Sequence, residues 1–248
     1  MRGRARTAGE ADVRFPTLAS DLLALPKLLR RVSMKIVEAP GQWGPGGWMA
    51  LFALVAVTLF AYDEKRPLQS LIEHTGDSAL RRVARFAEIM GNGTATVQYG
   101  VFAFVIGRGA KRRVWVDLAF GLATGGIWCS ALTKAGQLVL AEARPRDGGV
   151  MHFLAPNGHG VSGHASAVAL VYVATNRILT RSARPSVRRA VRAALLAWAV
   201  VVGWSRIYLG AHFAWNVIVG LAVGYFTGSV AARTCIAGRA TLSARSAS

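Results

Sequence analysis

Cysteine is nearly absent from this chain of 248 residues. It has two, Cys129 and Cys235, both in or beside apolar runs, and that excludes a disulfide framework. Acidic residues are also few, 12 Asp and Glu against 30 Lys and Arg, for a formal net charge of +18. No segment repeats internally and no linker is long enough to separate domains, so one architectural unit is expected. The N-terminus lacks an apolar signal core ahead of the first long apolar run, so no cleaved signal peptide is expected.

Apolar sequence, by contrast, is plentiful. Hydrophobic residues make up 53% of the chain, and they fall in six blocks, at about 47–62, 93–107, 114–140, 163–180, 190–204 and 213–231. The first and fifth sit at the low edge of the roughly 17–25 residues that cross a bilayer. The blocks are too long and too continuously apolar for barrel strands. Lipid leaves the backbone only helices or closed barrels, so the expected fold is all-α, a bundle of six transmembrane helices over 46–232. A basic segment, 1–45, precedes it and a short tail, 233–248, follows.

A charge of +18 in a soluble protein would suggest nucleic acid, but its distribution points to a membrane. With both ends placed inside, the N-terminal segment carries eight Lys and Arg and the second-to-third connection four. The fourth-to-fifth carries six and the C-terminal tail three, so 21 of 30 share one side. This is the positive-inside bias. It sets the expectation of a multi-pass cytoplasmic-membrane protein with both termini cytoplasmic and no nucleic-acid partner. Residues 16–38, PTLASDLLALPKLLRRVSMKIVE, read either as an interfacial helix on the anionic leaflet, broken at Pro26, or as a loosely ordered basic tail. The connection at 63–92 reads as one or two short helices ended by Gly91 and Gly93.

That topology gathers all five histidines (His74, His152, His159, His164 and His212) on the outer side. Arg144, Arg146, Ser162, Ser205 and Arg206 fall there too. The inner connections are equally polar yet contain no histidine, so solvation alone does not account for the grouping. His152, His159 and His164 offer three zinc donors, but their irregular spacing and two flanking arginines argue against a metal site. His74 reads as an ordinary loop histidine. Tyr208 and Trp215 read as members of an interfacial aromatic belt.

Three segments carry the chemistry: QLVLAEARPRD at 137–147, VSGHA at 161–165 and SRIYLGAHFAWN at 205–216. In order, spacing and placement they resemble the type-2 phosphatidic-acid phosphatase superfamily, integral-membrane lipid phosphate phosphatases related to vanadium haloperoxidases. The likeness of the motifs covers roughly 137–216, and the six-span plan extends it. Guanidinium forks suit phosphate oxygens, and Arg144 and Arg206 supply them. Ser162 starts a helix, where free N–H groups of Gly163 and His164 favour an anion. The resemblance implies that His212 attacks phosphorus to form a phosphohistidine and that His164 protonates the leaving oxygen. Histidine suits both roles near neutral pH. The scheme requires no metal and no cofactor.

Three positions depart from the family pattern. Gln137 stands where the family has a lysine, Val161 where it has proline, and Asn216 where it has the aspartate that orients the nucleophile's ring. His212 and Asn216 are i and i+4, one above the other on a helix, so the Asn carbonyl still orients the ring, without the charge. Lys134, one turn deeper than Gln137, could carry an ammonium up to the site. Glu142 and Asp147 are the nearby carboxylates, and spacing favours neither. The expected partner is a lipid phosphate or diphosphate held in the bilayer. The competing class is a pseudo-phosphatase that binds the same lipid without turnover. A transporter is weaker, because the ionisable groups cluster at one face instead of lining a path.

Overall fold

The structure, a computed structural model, describes residues 15, 17–73, 77–154, 156 and 158–245. His74 lies outside the described residues. The helices are α1 (Leu18–Glu38), α2 (Pro45–Asp63), α3 (Lys65–Glu73), α4 (Ser78–Met90), α5 (Gly93–Gly109), α6 (Arg113–Val139), α7 (Gly163–Ala174), α8 (Pro185–Tyr208) and α9 (Ala214–Arg245). All six apolar blocks lie in helix to within a residue or so of their ends. Four helices, α2, α6, α8 and α9 (to Gly238), are individually long and apolar enough to cross a membrane, and α4 with α5 forms a further pair bent by 55°. Helix α7 has 12 residues and continues as a π-helical turn, Thr175–Leu179.

The chain chemistry explains most boundaries. Thr17, Asp77, Asn92 and Ser162 cap α1, α4, α5 and α7 through side-chain oxygens that accept backbone N–H bonds. Gly91 ends α4 and Asn92 starts α5. Helix α8 is longer than its apolar block because Pro185 suits the first turn and Ser205 and Arg206 lie on the last.

Close packing of small residues holds the bundle together. The most extensive helix pair is α7 with α9. A Cβ at Gly220 would lie 2.5 Å from the Ser162 carbonyl oxygen, and one at Gly224 only 2.0 Å from that of Ser166. Gly220, Gly224 and Gly228 recur every four residues, the small-residue stripe that lets membrane helices approach backbone to backbone. On the outside, Phe52, Leu59 and Phe60 of α2 and Val97, Val101 and Phe102 of α5 are exposed, as a lipid-facing surface requires.

Helix α1 is neither a loose tail nor broken at Pro26; it is continuous and docked. Asp21 is fully buried and pairs with Arg108, at 2.9 Å, and with Arg113. Val32 and Ile36 pack against Ala231, and the Trp128 indole donates to Ser33 Oγ at 2.9 Å. Arg113 also answers Asp117 at 3.1 Å. These ties fix the basic end of the bundle, away from the histidines.

One element has no counterpart in the sequence reading, a short antiparallel hairpin between α6 and α7. Its strands are β1 (Leu140–Glu142) and β2 (Met151–Phe153), with Ala141 opposite His152. Gly148 (φ +96°) and Gly149 (φ +64°) make the turn in left-handed backbone that other residues rarely adopt.

Candidate active site

The site forms at one end of the bundle, where α6 and α8 end and α7 and α9 begin. Helix α8 terminates through Gly210, whose φ of +61° turns the chain back. The N–H groups of Ala211 and His212 both donate to the Arg206 carbonyl, at 3.0 and 3.1 Å. A turn of five residues therefore sets His212 directly over Arg206. His212 is 7% exposed, and its Nδ1 bonds to the His159 carbonyl oxygen at 3.1 Å.

This corrects the expected role of Asn216. His212 lies ahead of α9, not on it, so the two residues do not stack one turn apart. Phe213 is the residue before the helix, and Asn216, three positions on, reaches back with Oδ1 to accept the Phe213 N–H at 2.8 Å, the reciprocal half of a capping box. Its Nδ2 donates to the Gly160 carbonyl at 2.9 Å and to Glu142 Oε2 at 3.3 Å. The carbonyl of His159 takes the place at the ring that spacing assigns to residue 216.

Ser162 is fully buried and accepts the Ala165 N–H at 3.4 Å as the N-cap of α7. The next residues, Gly163 and His164, begin the helix with free N–H groups. A Cβ on Gly163 would meet only Thr133 Cγ2, at 3.9 Å, so the backbone there is open to a ligand. Gln137 is corrected as well: its amide donates to the Val161 carbonyl at 2.8 Å and braces the loop, so that N–H is not free for phosphate. Lys134 and Gln137 line, with Gly163 and His164, a cavity of about 910 Å³.

Arg144 leaves the hairpin from the end of β1. Its Nε is buried and has no hydrogen-bond partner among the described residues, and the same holds for Arg206 Nε. Two buried guanidinium N–H groups left unpaired are costly and call for an anion. Arg206 is held from the other side by Glu88 of α4, Nη1 to Oε1 at 2.7 Å. Sequence reasoning misses Glu88: an acidic residue in an amphipathic helix carries no signal of its own. His152 sits exposed on β2, outside this cluster. Among the described residues, no three His, Cys, Asp or Glu side chains are grouped to hold a metal.

Tyr208 and Trp215 are buried, not lipid-facing. The Tyr208 hydroxyl donates to the Asp77 carbonyl at 3.2 Å, and the Trp215 indole donates to Glu142 at 2.9 Å.

Burial pushes the His212 imidazole down to about 3, helped by the Arg206 guanidinium. His159 is lowered too, by burial and then by Arg144. His212 is therefore neutral at physiological pH, with Nδ1 bonded to a carbonyl and Nε2 unprotonated. In the unfolded chain a histidine titrates near 6.5, so below that pH the unfolded state binds more protons and folding stability falls as pH drops towards 3. At about pH 5 the loss from His212 alone is about 2 kcal/mol. Unfolding midpoints in detergent near neutral pH and near pH 5 should show this loss, and His212→Gln should shrink it. An equal pH dependence in that variant would refute the assignment.

Comparison with known proteins agrees with this fold. Residues 115–236 match the family model of the PAP2 superfamily. Among solved structures the chain is similar to the transmembrane PAP2-type phosphatidylglycerolphosphate phosphatase from Bacillus subtilis. The TM-score is 0.52 at 17% identity, over 77% of this chain and 96% of that one. No curated protein sequence matches the chain. The matched span covers just under half of the chain and includes every motif of the site, from Gln137 to Asn216, and over those residues the chain is similar to the PAP2 superfamily.

Proposed function

We propose that the protein is a membrane phosphohydrolase that removes phosphate from a lipid phosphate or diphosphate through a phosphohistidine on His212. The observation that carries the lipid part is the cavity. Its lining includes the polar side chains of Lys134, Gln137 and His164, and the rest is mostly apolar, with Phe104, Phe120, Leu22 and Leu25. A phosphate head beside His164 would leave its tail in that groove, between α5 and α6. Arg144 and Arg206 grip the equatorial oxygens, the N–H groups opening α7 add dipoles, and His164 protonates the leaving oxygen. No step of this scheme uses a metal. By the charge bias, the site faces away from the cytoplasm in a cytoplasmic membrane, and all six apolar blocks cross the bilayer.

The test is phosphate release by the detergent-purified protein from a long-chain lipid phosphate and from glycerol phosphate. The lipid should be preferred by about tenfold or more in kcat/KM, with the preference reduced in Gly126→Phe, which fills the groove. Equal turnover of both would refute the lipid reading. The competing pseudo-phosphatase reading is favoured by one observation, that the Nδ1 partner of His212 is a neutral carbonyl. No release from any lipid phosphate, with phosphate still bound, would select it.

A further inference from the structure

Glu142 is 1% exposed, and a buried carboxylate needs a reason. Its Oε1 accepts Lys65 Nζ at 2.6 Å, and that ammonium also lies over the Tyr62 and Phe213 rings, 4.5 and 5.2 Å from their centroids. Its Oε2 accepts the Trp215 indole and the Asn216 amide. Its backbone carbonyl accepts the His159 N–H at 3.0 Å. Asn216 completes the clamp, because its Nδ2 holds the Gly160 carbonyl and its backbone carbonyl accepts the Ser162 N–H at 3.1 Å. Residues 159–162 are thus fixed at three points, and the carbonyl they direct at the site is that of His159, on His212 Nδ1.

We propose that Glu142, acting through Asn216 and the 159–162 segment, is the positioning residue for the His212 imidazole, and that residue 216 must be neutral because Glu142 already supplies the buried carboxylate. The orientation of the Asn216 amide follows from its neighbours. Turned over, its oxygen would face Glu142 and the Gly160 carbonyl, and its NH2 would face the Phe213 N–H. An aspartate at 216 meets the same conflict. It would set carboxylate against carboxylate at 3.3 Å and leave the Gly160 carbonyl facing an oxygen at 2.9 Å. The departure at 216 is therefore a matched exchange and not a damaged motif.

The kinetic part of the test rests on the phosphatase reading; the spectroscopic part does not. In the full chain, labelled with 15N-histidine and purified in detergent, His212 should hold the Nδ1–H tautomer, identified by the signal lost in His212→Gln. An Nε2–H tautomer would overturn the proposal whether or not the protein is an enzyme. Asn216→Asp should lower kcat by about 100-fold with KM within about threefold, and should split or shift the His212 signal. Adding Glu142→Gln to that variant returns an amide donor to face the introduced carboxylate and should recover about tenfold of the loss. Activity in Asn216→Asp at or above that of the parent, or no recovery in the double variant, would overturn the matched pair. A parent that releases no phosphate would refute the phosphatase reading and leave the tautomer to decide the positioning.

Discussion

Replacing His212 with alanine should reduce phosphate release from a lipid phosphate by about 10⁴-fold or more, because the proposed route has no second nucleophile to fall back on. The neutral ring donates its Nδ1–H to the His159 carbonyl and turns the Nε2 lone pair outward. His164 is fixed in the first turn of α7, and His159 stands edge-on to His212 with centroids 6.4 Å apart. Neither can take over without moving the element that carries it. The fold should survive the change, since the His212 N–H bond to Arg206 belongs to the backbone and persists. Phosphate affinity should survive as well, because Arg144, Arg206 and the start of α7 are untouched. Arg206→Ala should act differently, raising KM and freeing Glu88 from its partner. Turnover in His212→Ala within about tenfold of the parent would refute the nucleophile assignment.

Much of this site is legible without coordinates, for a physical reason. Spans are long apolar runs, arginine, histidine and a helix-opening serine suit phosphate, and their spacing is the one the family resemblance supplies. Arg144, Ser162, His164, Arg206 and His212 are therefore visible in the sequence, and the structure brings them to one end of the bundle. Contacts made by ordinary residues across large sequence distances are not. Glu88 is 118 positions from Arg206, and Lys65 is 77 from Glu142. Neither pair has a local pattern to give it away.

Asn216 shows where spacing misleads. The interval from His212 to Asn216 suits an i, i+4 pair on a helix, but only if both residues are helical. Gly210 and Phe213 place His212 in the turn, and the same interval then sends the amide to the Phe213 N–H and to Gly160. The hairpin of β1 and β2 is hidden for a related reason: three-residue strands are too short for an alternating pattern to register. Helix α1 reads two ways in sequence because its docking depends on Asp21 meeting two arginines, 87 and 92 positions away.

The glycines of GHGVSGHASA, residues 158–167, include two kinds, and alanine substitution separates them. Gly160 has no positive φ to justify it, so close approach must. A Cβ there would lie 1.7 Å from the Leu140 carbonyl oxygen and 2.7 Å from the Leu140 carbonyl carbon. Backbone atoms cannot swing aside as a side chain can, so Gly160→Ala must push the 158–160 segment off the end of α6 and β1. That movement breaks the Asn216 bond to Gly160 and the His159 bond to Glu142 together. We expect a loss of about 3 kcal/mol or more in stability, the range of overpacked cores and broken buried networks. Gly163→Ala is the control. Its Cβ would meet only Thr133 Cγ2 at 3.9 Å, so the unfolding midpoint should hardly change. The added methyl would instead stand between the helix N–H groups and the phosphate, raising KM by about tenfold. Thermal unfolding in detergent beside initial-rate kinetics reads both effects. A stable, active Gly160→Ala protein would show that the clamp around His159 yields, and the carbonyl on His212 would then not be rigidly held.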